Sequence, residues 1–154
     1  MTVAERPRSS SRRARRSGWR PGGSGDFPTL GWHVLRWTYA HLPSPSDERS
    51  PFVYTNEQAQ RVLRIYELDP ETGRRVYDRR VHEEEAKGWG KSPFAGSLTL
   101  AEFCGPVLFD GWDDDGQPMA RRWGHGGSPQ PWIQVAGVSE AQTRNTWGSI
   151  FTFV

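Results

Sequence analysis

Between Glu85 and Ser92 the chain reads Glu-Ala-Lys-Gly-Trp-Gly-Lys-Ser, a set of residue types that can bind a phosphorylated ligand. Wrapping main-chain N–H groups around a phosphate needs glycine where side chains would collide, and Gly88 and Gly90 supply it. A lysine must reach the terminal phosphate oxygens, and Lys91 stands where it can. The hydroxyl directly after it, on Ser92, is the group that would bind Mg²⁺. A helix starting at this point would turn its positive end toward the anion. The departure from the common spacing is Glu85, which takes the place six before the lysine where glycine is usual. On the residues alone, the stretch reads as a variant phosphate loop for a nucleotide with Mg²⁺, or as a solvated glycine-rich turn between a strand and a helix.

Such a loop has to be held by the elements on either side. Arg74 to His82 alternates as a strand, with Val76 and Val81 as its apolar members. Phe94 to Cys104 reads as a helix whose buried face is Phe94, Ala95, Leu98, Ala101 and Phe103. Pro93 falls in its first turn and Gly105-Pro106 stops it. Upstream, Leu30, Val34 and Trp37 share one helical face, ended by Pro43 and Pro45, and Ser44 to Pro51 follows as a polar loop. Thr55 and Gln58 form a capping box for a helix carrying Ala59, Val62, Leu63 and Tyr66. Asp69-Pro70-Glu71-Thr72-Gly73 is a turn.

Downstream, Val107-Leu108-Phe109 is a short apolar strand and Asp110 to Pro131 a long loop. Trp132 to Val138 is apolar enough for a buried parallel strand, and Ser139 caps a helix starting at Glu140. This order predicts an α/β fold over residues 27–154: an incomplete open sheet of parallel strands flanked by helices. Residues 1–26 have almost nothing to bury and are expected to be a disordered tail.

Charge is divided along the same line. The tail holds seven arginines against Glu5 and Asp26, while the remainder holds 13 basic and 16 acidic residues. The net charge of +2 therefore comes from the tail, and nucleic-acid binding by the folded part does not follow from it. The arginines suit either a solvated end or an arm on DNA phosphates. Cys104 is the one cysteine, so no disulfide framework can form, which suits a reducing cytoplasm. No apolar run is long enough to cross a membrane. His33, His41, His82 and His125 show no metal-ligand spacing. Asp113-Asp114-Asp115 and Glu83-Glu84-Glu85 read as solvated acidic runs.

Several blocks, in order, resemble the large terminase subunit of tailed bacteriophages, especially those of actinobacterial hosts. They are Pro51-Phe52-Val53-Tyr54 with Glu57-Gln58-Ala59 and Tyr66; Lys87 to Pro93; Ala101-Glu102 with Gly105-Pro106-Val107 and Phe109-Asp110-Gly111-Trp112; and Gln134-Val135-Ala136 with Ser139-Glu140 and Gln142 to Trp147. The similarity covers residues 27–154. It implies the front of an ATPase domain that, in that family, precedes a nuclease domain and drives double-stranded DNA into a capsid. It implies ATP and Mg²⁺ as cofactors. Lys91 would hold the phosphates, with Gly88, Trp89 and Gly90 around them, and Ser92 would hold Mg²⁺. Family loops often lack the first glycine, which accommodates Glu85, and carry a basic residue where Lys87 stands, implied to stabilise charge on the γ-phosphate. Gln58 would read adenine, with Gln60 as the alternative because Gln58 already serves the capping box. The implied partners are DNA, the portal and the small terminase subunit.

A complete ATPase of this kind also needs an apolar strand ending in Asp-Glu, and no stretch of the chain supplies one. Val107-Leu108-Phe109-Asp110 runs into Gly111 instead. The expectation is a truncated or split form that binds ATP without hydrolysing it efficiently, with Phe151, Phe153 and Val154 left without packing partners. The competing readings are a nucleic-acid-binding remnant acting through its basic tail, and another kind of phosphate-loop enzyme.

Overall fold

In the computed structural model, Thr55 starts its helix as the capping box requires. Its hydroxyl accepts from the Gln58 N–H at 3.2 Å while the Gln58 side-chain oxygen accepts from the Thr55 N–H at 3.1 Å. The structure describes residues 18–77, 81–82, 84–125, 127–137 and 139–153. Helix α1 spans Gly31–His41, and α2, started by Thr55, spans Asn56–Ile65. Helix α3 spans Lys91–Cys104 and α4 spans Glu140–Thr152. Strands β1 (Pro43–Ser44) and β2 (Asp47–Pro51) form one antiparallel pair. Strands β3 (Leu108–Trp112) and β4 (Pro118–Arg121) form another.

Helices α1, α2 and α3 surround the main core, in which Leu30, Val34, Val62, Tyr66, Leu68, Phe94, Ala101, Val107 and Trp112 are buried. Burying each large apolar side chain of this set contributes roughly 1.5–3 kcal/mol, so the core is the dominant stabilising element. The approach of α1 to α2 depends on Gly31. A Cβ there would lie 2.7 Å from the Leu63 Cα, which no side chain could accommodate. Thr29 seals the same junction, donating to the Leu63 carbonyl at 2.7 Å and accepting from the Gly31 N–H at 2.9 Å. A smaller cluster of Leu42, Phe52 and Phe153 lies beside it, with Phe52 edge-on to Phe153 at 5.1 Å.

The expected sheet of parallel strands is not the fold. Among the described residues, the sheets are two antiparallel pairs of two strands each. The apolar run Val107-Leu108-Phe109 does enter a strand, but β3 pairs with its sequence neighbour β4. Asp113 makes the reversal: its carboxylate accepts from the Asp115 and Gln117 N–H groups at 3.0 and 2.7 Å. Closing a short local loop costs less entropy than bringing in a distant parallel strand, which also needs a long crossover connection. Half of the loop expected at Asp110 to Pro131 is therefore hairpin. Residues 129–137 run without strand pairing and Trp132 is 81% exposed, so the expected buried strand is also corrected. Its last residue, Val138, lies outside the described residues.

The segment expected to be a strand at Arg74 to His82 contributes a single bridge, Leu68 to Arg75, and Val76 and Val81 are exposed. Residues 78–80 lie outside the described residues. On α3, Phe94 and Ala101 are buried as expected, but Ala95 and Phe103 face outward. Phe153 was expected to lack partners and is instead buried, whereas Phe151 is 72% exposed; Val154 lies outside the described residues.

Of the N-terminal arm, residues 1–17 lie outside the described residues. The rest of it is attached to the hairpin. The Arg20 N–H donates to the Gly116 carbonyl at 3.1 Å, the Gln117 amide donates to the Arg20 carbonyl at 2.8 Å, and Trp19 packs against the main core. Among the described residues, no helix is long and apolar enough to cross a membrane.

Candidate phosphate-binding site

The loop from Glu85 to Gly90 runs directly into the first turn of α3, so that Lys91 and Ser92 are the first two helical residues. Gly90 caps the helix in the left-handed region at φ 92°, and Gly88 lies there too at φ 96°. Both conformations are natural to glycine and strained for other residues. Space at Gly90 is also short, because a Cβ would come within 3.2 Å of the Gln58 amide nitrogen. The glycine requirement inferred from phosphate chemistry is thus matched by a backbone requirement at the same two positions.

Lys91 folds back over the loop. Its ammonium donates to the Ala86 carbonyl at 3.0 Å and also to the Glu85 carbonyl. The two carbonyls belong to the loop's first residues, so the lysine closes the loop on itself at the mouth of the helix. The loop it closes leads into the first turn of α3, the end at which the helix dipole favours an anion. Ser92 is half-buried in that turn and Lys87 is exposed on the loop.

Helix α2 grips the loop from the other side. The Gln58 side-chain nitrogen donates to the Trp89 carbonyl at 3.0 Å. The Arg61 guanidinium lies over the Trp89 ring, 4.9 Å from its centroid, and pairs with the Glu85 carboxylate. Trp89 meets Phe94 edge-on at 5.2 Å, which ties the loop to the core. A cleft of about 400 Å³ opens beside it, lined by Ile65, Trp89, Lys91, Phe94 and Leu98 among others.

The structure brings Gln58, Gly88, Trp89, Gly90, Lys91 and Ser92 into one region. It also engages the Gln58 amide at both ends, by the Thr55 N–H and the Trp89 carbonyl. Gln60 faces a second cleft of about 660 Å³ shared with Phe27, Arg61, Arg64 and Tyr77. Arg61 had no functional signal in the sequence. With Glu57 four residues before it, it reads as an ordinary surface pair of a helix, and that pair does form, at 2.8 Å. Among the described residues, there is no group of three or more His, Cys, Asp or Glu side chains that could hold a metal ion.

No protein-family model matches the chain. The chain is similar to the gene 13 protein of Mycobacterium phage D29, 38% identical over 141 residues, a match covering 77% of this chain and 22% of the phage protein. It is similar in the same way to the gene 13 protein of Mycobacterium phage L5, at 37% identity over 141 residues. The chain thus spans about a fifth of the length of these curated relatives. No solved structure matches it. The chain is related to bacteriophage proteins, whose names state no activity.

Proposed function

We propose that residues 85–92 bind the β- and γ-phosphates of ATP with Mg²⁺, as part of a bacteriophage DNA-packaging protein of the terminase large-subunit kind. The observation that carries this reading is the Lys91 ammonium, held on the Glu85 and Ala86 carbonyls at the start of α3. A cation so placed, on a loop with two left-handed glycines that leads into a helix N-terminus, can exchange carbonyl oxygens for phosphate oxygens. In this reading the Ser92 hydroxyl meets Mg²⁺, Lys87 approaches the outermost phosphate from the solvent side, and the N–H groups of Gly88 and Gly90 line the anion, joined by that of Trp89 once it leaves the Ala86 carbonyl, to which it donates at 3.4 Å. The base lies toward Gln60, because the Gln58 amide already has two partners.

The packaging role rests on the ordered sequence blocks alone, and the relatives from two mycobacteriophages support a bacteriophage origin. Double-stranded DNA, the portal and the small terminase subunit are the partners that role would bring. Hydrogen exchange with and without ATP and Mg²⁺ tests the site. Slower exchange confined to peptides covering residues 85–94 supports it; unchanged exchange there, or slowing elsewhere alone, overturns it.

A further inference from the structure

We propose that Arg61 is a positioning residue for the phosphate loop: by pairing with Glu85 it lets a loop without its first glycine accept an anionic ligand. This rests on the phosphate-binding reading of residues 85–92. Glu85 is held at two points. Its carbonyl accepts from Lys91, and its carboxylate pairs with Arg61. The first hold puts the residue at the mouth of the loop, where an unpaired carboxylate would repel phosphate. The side chain is 20% exposed and that of Arg61 29%, so water screens the charge only in part.

The guanidinium is itself fixed. Glu57 holds it at 2.8 Å from within α2, and its face lies over the Trp89 ring at 4.9 Å. A planar, delocalised cation can stack on an indole and bond carboxylates at its edge together, which a lysine ammonium cannot reproduce. Arg61 therefore does two things to the loop: it neutralises the first residue and it seats the fifth. Glycine at position 85 would need no such partner, which links the unusual residue in the loop to a residue on another helix.

The test is a double-mutant cycle on the full 154-residue chain, with the affinity for ATP and Mg²⁺ measured by calorimetry. Arg61→Ala is expected to weaken binding about tenfold, and Glu85→Gln to tighten it about two- to threefold, since one negative charge is removed beside the phosphates. The double variant should return to within about threefold of the parent. A double variant as weak as Arg61→Ala overturns the inference, because Arg61 would then act on the nucleotide or the fold and not through Glu85. Parent affinity in Arg61→Ala overturns it equally. Should Arg61→Ala lose its helical circular dichroism, Arg61→Lys replaces it in the cycle. That variant is expected to bind about threefold more weakly and to be rescued by Glu85→Gln, and failure of rescue overturns the inference. If the parent binds no better than Lys91→Ala, the phosphate-binding reading falls and this inference falls with it. Binding that depends on Lys91 but is indifferent to Arg61 sinks this inference alone.

Discussion

The side-chain amide of Gln58 donates to the carbonyl of Trp89 across 31 residues of sequence, at 3.0 Å, and so fastens the start of α2 to the loop before α3. The same amide's oxygen completes the capping box with Thr55. Cap and loop therefore share one residue, and two substitutions separate their effects. Thr55→Ala removes the hydroxyl cap and is expected to destabilise the fold by about 1 kcal/mol while leaving the Trp89 bond. Gln58→Ala removes both bonds and is expected to cost about 2 kcal/mol. Denaturant unfolding gives the stabilities. Hydrogen exchange at residues 86–90 should accelerate in Gln58→Ala and not in Thr55→Ala. Equal acceleration in the two would show that the cap alone orders the loop.

Tyr54 joins α3 to the segment before α2, through a 2.8 Å hydrogen bond with the Ser97 hydroxyl. Burial pushes its phenol up to about 12, against smaller opposing effects of hydrogen bonding with Ser97 and Thr38. A raised value means that the folded state prefers the neutral phenol. That preference is fully present below the unfolded value near 10 and is lost as pH rises from there through about 12. The alkaline loss attributable to Tyr54 is about 2–3 kcal/mol. Melting temperatures of the parent and Tyr54→Phe at pH 8 and pH 11 check it. The parent should lose more stability than the variant over this interval, and parallel losses would contradict the assignment.

Asp69 organises the turn that follows α2. Its carboxylate accepts from the Thr72 N–H at 2.7 Å, the Thr72 hydroxyl at 2.8 Å and the Glu71 N–H at 3.1 Å. These bonds, those from Thr72 foremost, lower its pKa below the ordinary 3.8. A lowered value gives stability that is present above the unfolded pKa and is lost as pH falls through the folded one. Asp69→Ala should therefore lower the melting temperature at pH 7 and lower it by less at pH 3. A difference independent of pH would assign the role to turn geometry and not to the ionised carboxylate.

The helices and turns were legible in the sequence because their signals are local. The Thr55–Gln58 box, the Asp69 turn and the Gly105-Pro106 stop each act within a few residues, and each sits where its chemistry places it. Sheet topology was not legible in this way. An apolar run such as 107–109 says that a strand can be buried and not which strand it joins, and the Asp113 turn decided that locally. The run at 132–137 shows the converse: apolar composition gave no pairing, and Trp132 faces solvent. Of the candidate site, the need for glycine at 88 and 90 was legible, and the left-handed backbone at both positions meets it on conformational grounds alone. Arg61 was not, since its partners Glu85 and Trp89 are brought to it only by the packing of α2 against the loop.

The central claim is that Lys91 at the start of α3 holds phosphate, and calorimetric titration of the chain with ATP and Mg²⁺ tests it most directly. Saturable binding by the parent, weakened at least about tenfold in Lys91→Ala with circular dichroism unchanged, is the predicted result. Equal affinities of the parent and Lys91→Ala for ATP, or no binding by either, would contradict it.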